Sequence, residues 1–217
     1  MIANLIIWII LWSLGWFGFF LLNKKGIDYI NKFYISIVYF VSLSILIVVI
    51  YWKEFIKLIT VEFSIIPFLF IPLLFITNIV AYHYIRNNLK KPNQFIKENP
   101  QVFFLKLDNK YLASKSFEIL FQQILIVLLI LWLSQLGISI FGIIISFAIL
   151  FGLGHYYLIY SIGKLFGTIF TVSSIFSAII FPILIIYVPW GFIYSYFIHW
   201  MFYISAGFFF GRRKWQQ

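Results

Sequence analysis

The sequence predicts an all-α, polytopic transmembrane helical bundle of about seven spans, and three observations predict it. Of 217 residues, 64% are hydrophobic and only 10% carry charge, where a soluble domain carries about a quarter. Mean hydropathy is +1.04. The apolar residues fall into runs of about twenty, the length needed to cross a bilayer core, and the basic residues gather between the runs. One integral membrane domain, residues 1–217, leaves little chain for a soluble unit.

The first span is expected over Ile2–Leu22. It lacks the basic start and small-residue cleavage pattern of a signal peptide. Trp8, Trp12 and Trp16 recur every fourth residue and share one helix face, which suits packing or lipid contact. A polar turn, Asn23–Lys32, precedes span two, Phe33–Tyr51. A short mixed loop, Trp52–Lys57, leads to span three, Leu58–Tyr84, which Pro67 and Pro72 should kink. Glu62, Asn78 and His83 lie in that span. Residues 85–115 read as a basic cytoplasmic loop, in which Val102–Leu107 is apolar, too short to span, and suited to the membrane surface.

Span four is expected over Ser116–Ser134 and span five over Ile138–Tyr160. Ser161–Lys164 reads as a tight turn. Span six, Leu165–Val188, contains Pro182 and would make eight spans if it divides. Pro189–Gly191 is a turn signal, and span seven covers Phe192–Phe210.

Seven spans with the N-terminus outside and the C-terminus inside place three, seven, one and three of the sixteen basic residues in successive inside segments. Only Lys53 and Lys57 remain outside, so every loop obeys the positive-inside rule. The net charge of +10 therefore answers to headgroups and orientation rather than to nucleic acid, for which no binding module is present. There are no cysteines, which excludes disulfides and thiolate chemistry. The partner this composition implies is the lipid bilayer, and the expected location is a bacterial or archaeal inner (plasma) membrane.

Ionisable groups inside spans are costly and become functional candidates. Three stand out: Glu118, His155 and His199. Each has a companion four residues away on its own helix face: Gln122 with Glu118, Phe151 with His155, and Tyr203 with His199. The topology puts Glu118 and His155 at one depth near the inner face, with His199 about a turn or two deeper. Two histidines and a carboxylate form a known ligand set for catalytic zinc or another divalent metal, with His155 and His199 as the nitrogen ligands. Alternatively the carboxylate acts as general base on a water held by the imidazoles. Simpler roles also exist. Glu118 at a span end can reach water and favours the first turn of a helix. His155 can bond a backbone carbonyl, and His199 can be a packing residue.

The order of these residues resembles the CPBP (CAAX protease and bacteriocin-processing, or Abi) family of intramembrane proteases. That family's motifs are Glu-Glu-x-x-x-Arg, Phe-x-x-x-His and His-x-x-x-Asn or a similar residue, on separate helices. Phe151–His155 matches the second. Phe117-Glu118-Ile-Leu-Phe-Gln122 keeps one glutamate of the first, with Phe117 in place of the leading glutamate and Gln122 in place of the arginine. His199–Tyr203 keeps the histidine of the third. The resemblance covers about Lys115–Gly211 and implies a multi-span bundle that cuts a hydrophobic, membrane-associated peptide. It also implies that His155 and His199 hold the water or metal. A catalytically inactive relative that binds a hydrophobic peptide or lipid, and a small transporter using His155, His199 and Asn78, are the competing readings.

Overall fold

The computed structural model describes residues 2–59, 76, 109–161 and 163–212. Span three beyond Ile59, with Glu62, Asn78 and His83, most of the basic loop and the final Arg213 and Lys214 lie outside these residues. What is described is all-α. The helices are α1 (Ile2–Lys24), α2 (Phe33–Ile50), α3 (Trp52–Ile59), α4 (Asn109–Gln135), α5 (Ile140–Phe147), α6 (Leu153–Tyr156), α7 (Leu158–Ser161), α8 (Lys164–Tyr187) and α9 (Gly191–Arg212). A π-helical turn, Ala148–Gly152, joins α5 to α6.

By length and hydropathy, five of the described helical stretches can cross a membrane: residues 3–24, 33–50, 109–135, 140–160 and 167–187. The chain is an integral membrane protein of helical-bundle type. Large apolar side chains such as Phe17, Val38, Ile45, Phe141 and Phe176 are exposed, which suits lipid as the surrounding solvent.

The bundle is built around α4. Residues Leu125–Ile130 of this helix are all buried, so it is apolar on every face, as a central helix must be. It packs against α1, α2, α5, α8 and α9. Polar side chains fix these neighbours where they can reach a backbone carbonyl. Trp8 Nε1 donates to the Leu125 carbonyl at 2.8 Å, and Tyr39 donates from α2 to the Leu14 carbonyl of α1 at 2.7 Å. The Trp face thus faces protein in its first half: Trp8 stacks on Trp12, whose ring meets Phe151 edge-on at 5.8 Å. Trp16 remains exposed.

Two sequence expectations are corrected. Trp52–Lys57 is helical, the greater part of α3. Its Glu54 accepts from Lys57 at 3.0 Å and from Gln135 at 2.6 Å, tying α3 to the end of α4. Burial raises the Glu54 carboxyl, but these two donors and the Lys57 charge outweigh it and hold it below its ordinary value. The tie is therefore present above the ordinary carboxylate range and is lost as pH falls through the lowered value. Second, α4 starts at Asn109, about two turns before the expected Ser116. Glu118 consequently lies inside the helix rather than in its first turn. Span six, by contrast, is as expected: α8 runs unbroken through Pro182 from Lys164 to Tyr187.

The α7–α8 turn is tight. Gly163 has φ +89°, the left-handed region that glycine occupies without strain. Four residues on, Gly167 packs directly on the backbone of Leu158 and Ile159.

Candidate functional site

The site begins with a buried ion pair within one helix. Lys115 Nζ lies 2.7 Å from Glu118 Oε1, with 9% and 2% of the two side chains exposed. A spacing of three residues stacks the two side chains on one helix face. One turn further on, Gln122 Nε2 donates to the same Glu118 oxygen at 2.6 Å. The Lys115 ammonium sits 4.5 Å from the centre of the Tyr203 ring and 5.3 Å from that of Tyr29. The Tyr29 hydroxyl also approaches the Glu118 carboxylate. A lysine read from sequence as the end of the basic cytoplasmic loop is instead the counter-ion of the buried acid.

Helix α9 faces this ladder in antiparallel register. Lys115 meets Tyr203. Trp200 Nε1 donates to Ser116 Oγ at 2.7 Å, and the Tyr196 hydroxyl to the Ser116 carbonyl at 3.2 Å. Gln123 Nε2 donates to Ser195 Oγ at 2.6 Å, and the Ser195 hydroxyl in turn donates to the Phe192 carbonyl at 2.9 Å. As α4 advances from 115 to 123, α9 recedes from 203 to 195. This register sets His199 opposite Glu118 and Ile119. The expectation that His199 lies a turn or two deeper than Glu118 is therefore corrected: the pairs on either side fix both at one level.

The His199 ring is enclosed by Phe181 at 5.9 Å, Tyr203 at 6.1 Å and Phe151 at 6.3 Å between ring centres. Phe151 also lies 4.6 Å from the His155 ring, so one phenyl ring touches both imidazoles. His155 Nδ1 is 2.7 Å from the Phe151 carbonyl. A carbonyl only accepts, so Nδ1 carries the proton and a neutral ring leaves Nε2 as acceptor. This is the backbone-bonded role that the sequence offered for His155. Thr171 of α8 donates to the His155 carbonyl at 3.2 Å.

Four buried polar atoms of this seam have no hydrogen-bond partner among the described residues: Glu118 Oε2, Gln122 Oε1, Gln123 Oε1 and His199 Nδ1. Buried polar groups are nearly always satisfied, so these atoms form an unusual polar cluster between the packed helices α4 and α9. The seam is also bounded. Beyond Gln123, α4 is apolar from Ile124 to Leu133.

The zinc expectation does not fit. Among the described residues no three His, Asp or Glu side chains are grouped to hold a metal ion, and a catalytic zinc needs three protein ligands. The structure brings Glu118, Gln122, His199 and Tyr203 to one seam and joins Phe151 and His155 to its edge. Sequence reasoning missed Lys115, Tyr29, Gln123 and Trp200. The three-residue spacing of Lys115 and Glu118 was the available signal.

Replacing Ser195 by alanine should destabilise the fold by about 1–3 kcal/mol, because the buried Gln123 amide loses its acceptor. Thermal unfolding in micelles checks this, and the Gln123→Leu/Ser195→Ala double variant should recover most of the loss.

Fold and site together define an integral membrane helical bundle with a buried, charge-paired polar seam in the half nearer the start of α4. No family model, curated protein or solved structure matches the chain.

Proposed function

We propose that the protein is an intramembrane hydrolase of the CPBP type, cutting a membrane-associated hydrophobic peptide near the cytoplasmic face of a bacterial or archaeal plasma membrane. The topology of this reading has seven spans, the N-terminus outside and the C-terminus inside. The observation that supports it most is that Glu118 Oε2 and His199 Nδ1, on helices packed against each other, are both buried without a partner among the described residues. A water between them would give its proton to the carboxylate while the imidazole orients it, which is general-base chemistry without a metal. Lys115 supports the resemblance at its weakest point. Gln122 stands where the motif has arginine, and Lys115 provides a cation to Glu118 from one turn earlier. His155 acts through Phe151, against which both imidazoles lie.

A non-catalytic peptide or lipid binder is the second reading. Its supporting observation is the Lys115–Glu118 pair, which already neutralises the acid. A transporter is less well supported, because the polar seam stops at Gln123 beneath an apolar stretch of α4.

The test is peptide release by purified protein in nanodiscs, using a pool of hydrophobic peptides. Glu118→Gln and His199→Ala should each reduce release at least about a hundredfold, and a chelator should leave the rate unchanged. No release by the unsubstituted protein would remove the hydrolase reading and leave the binder. Abolition by the chelator would overturn the metal-free mechanism.

A further inference from the structure

Three of the four unpartnered atoms are acceptors: Glu118 Oε2, Gln122 Oε1 and Gln123 Oε1. The amide donors beside them are turned inward, Gln122 Nε2 onto Glu118 and Gln123 Nε2 onto Ser195. The seam therefore has an excess of acceptors and asks for hydrogen-bond donors from its ligand. We infer that the α4–α9 seam recognises a neutral donor series, the main-chain N–H groups of an extended peptide, through Glu118, Gln122 and Gln123.

The charge balance selects a neutral donor. Glu118 is already paired with Lys115 at 2.7 Å, so an ammonium or guanidinium entering the seam would add an uncompensated charge in a dry site. The spacing selects a strand. Glu118 and Gln122 are four residues apart on the helix, about 6 Å of rise. An extended chain presents N–H groups on one side about every 6.6–6.8 Å. These repeats are close enough for flexible side chains to meet successive amides. A lone hydroxyl or a single amide would satisfy one acceptor and leave the others.

The seam is closed in the unliganded protein: each of these oxygens has almost no solvent contact. Entry therefore requires α9 to move from α4, breaking Gln123–Ser195, Trp200–Ser116, Tyr196–Ser116 and the contact of Lys115 with the Tyr203 ring. Each unsatisfied acceptor disfavours the closed seam and favours the occupied one.

This inference rests on the hydrolase reading for the peptide class, but its test reads binding rather than cleavage. The probe is an N-acetylated, C-amidated peptide of leucine and alanine carrying one benzophenone. It is presented to the full-length protein in nanodiscs, with labelled positions mapped by mass spectrometry. Labelling should fall on α4 and α9, and N-methylation of alternate amides should reduce it about five- to tenfold. Gln122→Leu should weaken labelling by the unmethylated probe and narrow its advantage over the methylated one. Equal labelling by methylated and unmethylated probes overturns the inference and leaves the seam as a water site. Labelling confined to the lipid-facing helices, or none at all, also overturns it. The comparison of probes uses the unsubstituted protein, so it holds even where a variant fails to fold. Donor-dependent labelling without cleavage would keep the inference and remove the hydrolase reading. Cleavage indifferent to methylation would do the reverse.

Discussion

Lys115→Met is expected to destabilise the protein by about 3–5 kcal/mol, the cost of leaving a buried carboxylate without its counter-ion. Glu118 would keep Gln122 and the approach of Tyr29, but neither supplies a positive charge. The carboxylate is then left in a dry site without a counter-ion. The Lys115→Met/Glu118→Gln double variant removes both charges and should regain most of the loss, since well-packed neutral replacements of a buried pair are often nearly neutral. Reversible unfolding in mixed micelles provides the measurement. A single-variant loss below about 1 kcal/mol would show that the pair behaves as an exposed one. The double variant also separates stability from chemistry. It should fold, yet release no peptide.

Gly167→Val should be strongly damaging, costing about 3 kcal/mol or more. A side chain there meets the Leu158 and Ile159 backbone rather than a rotatable group. Nothing can swing aside, so α7 and α8 must separate. Gly154, in the same hairpin, has open space where its Cβ would be. Gly154→Ala should therefore be neutral or stabilising by up to about 1 kcal/mol, the helix preference of alanine over glycine. Comparing the two in one thermal-unfolding series tests whether close backbone contact, rather than loss of glycine as such, governs this turn. Similar losses for both would rule that out. His155 lies between the two glycines, so Gly167→Val should also disturb the Thr171–His155 contact.

Spans were legible where hydrophobicity alone decides. The expected Ile2–Leu22 is Ile2–Lys24, Phe33–Tyr51 is Phe33–Ile50, and Leu165–Val188 is Lys164–Tyr187. Charge was misleading where pairing decides. Lys115 beside Lys110 and Asp108 reads as loop, because a lone lysine belongs in water. Its burial depends on Glu118, and that pairing is a tertiary fact until the helix is known to begin at Asn109. Glu118, His155 and His199 were found because polar groups in apolar runs are conspicuous. Their relative depths were not legible, since depth follows from the register of α4 against α9, set by Gln123–Ser195 and Trp200–Ser116. Those four residues carry no charge and look ordinary in sequence. The failure of the metal set has the same origin, because ligand convergence depends on rotation as well as depth.

The π-helical turn Ala148–Gly152 determines rotation. One added residue in a helix advances the phase of everything after it by about 100°. The two halves of this span thus present different faces, and the turn acts as a phase shifter between them. Phe151 lies within it and His155 just beyond, so the direction in which that imidazole points is encoded by residue count rather than by residue identity. Losing a single residue anywhere in Ala148–Gly152 would straighten the helix and turn His155 away while leaving hydrophobicity and composition almost untouched. A length change in the Leu136–Ser139 connection would carry no such penalty. These five positions are therefore intolerant of deletion even where, as at exposed Ile149, the side chain itself is free to change.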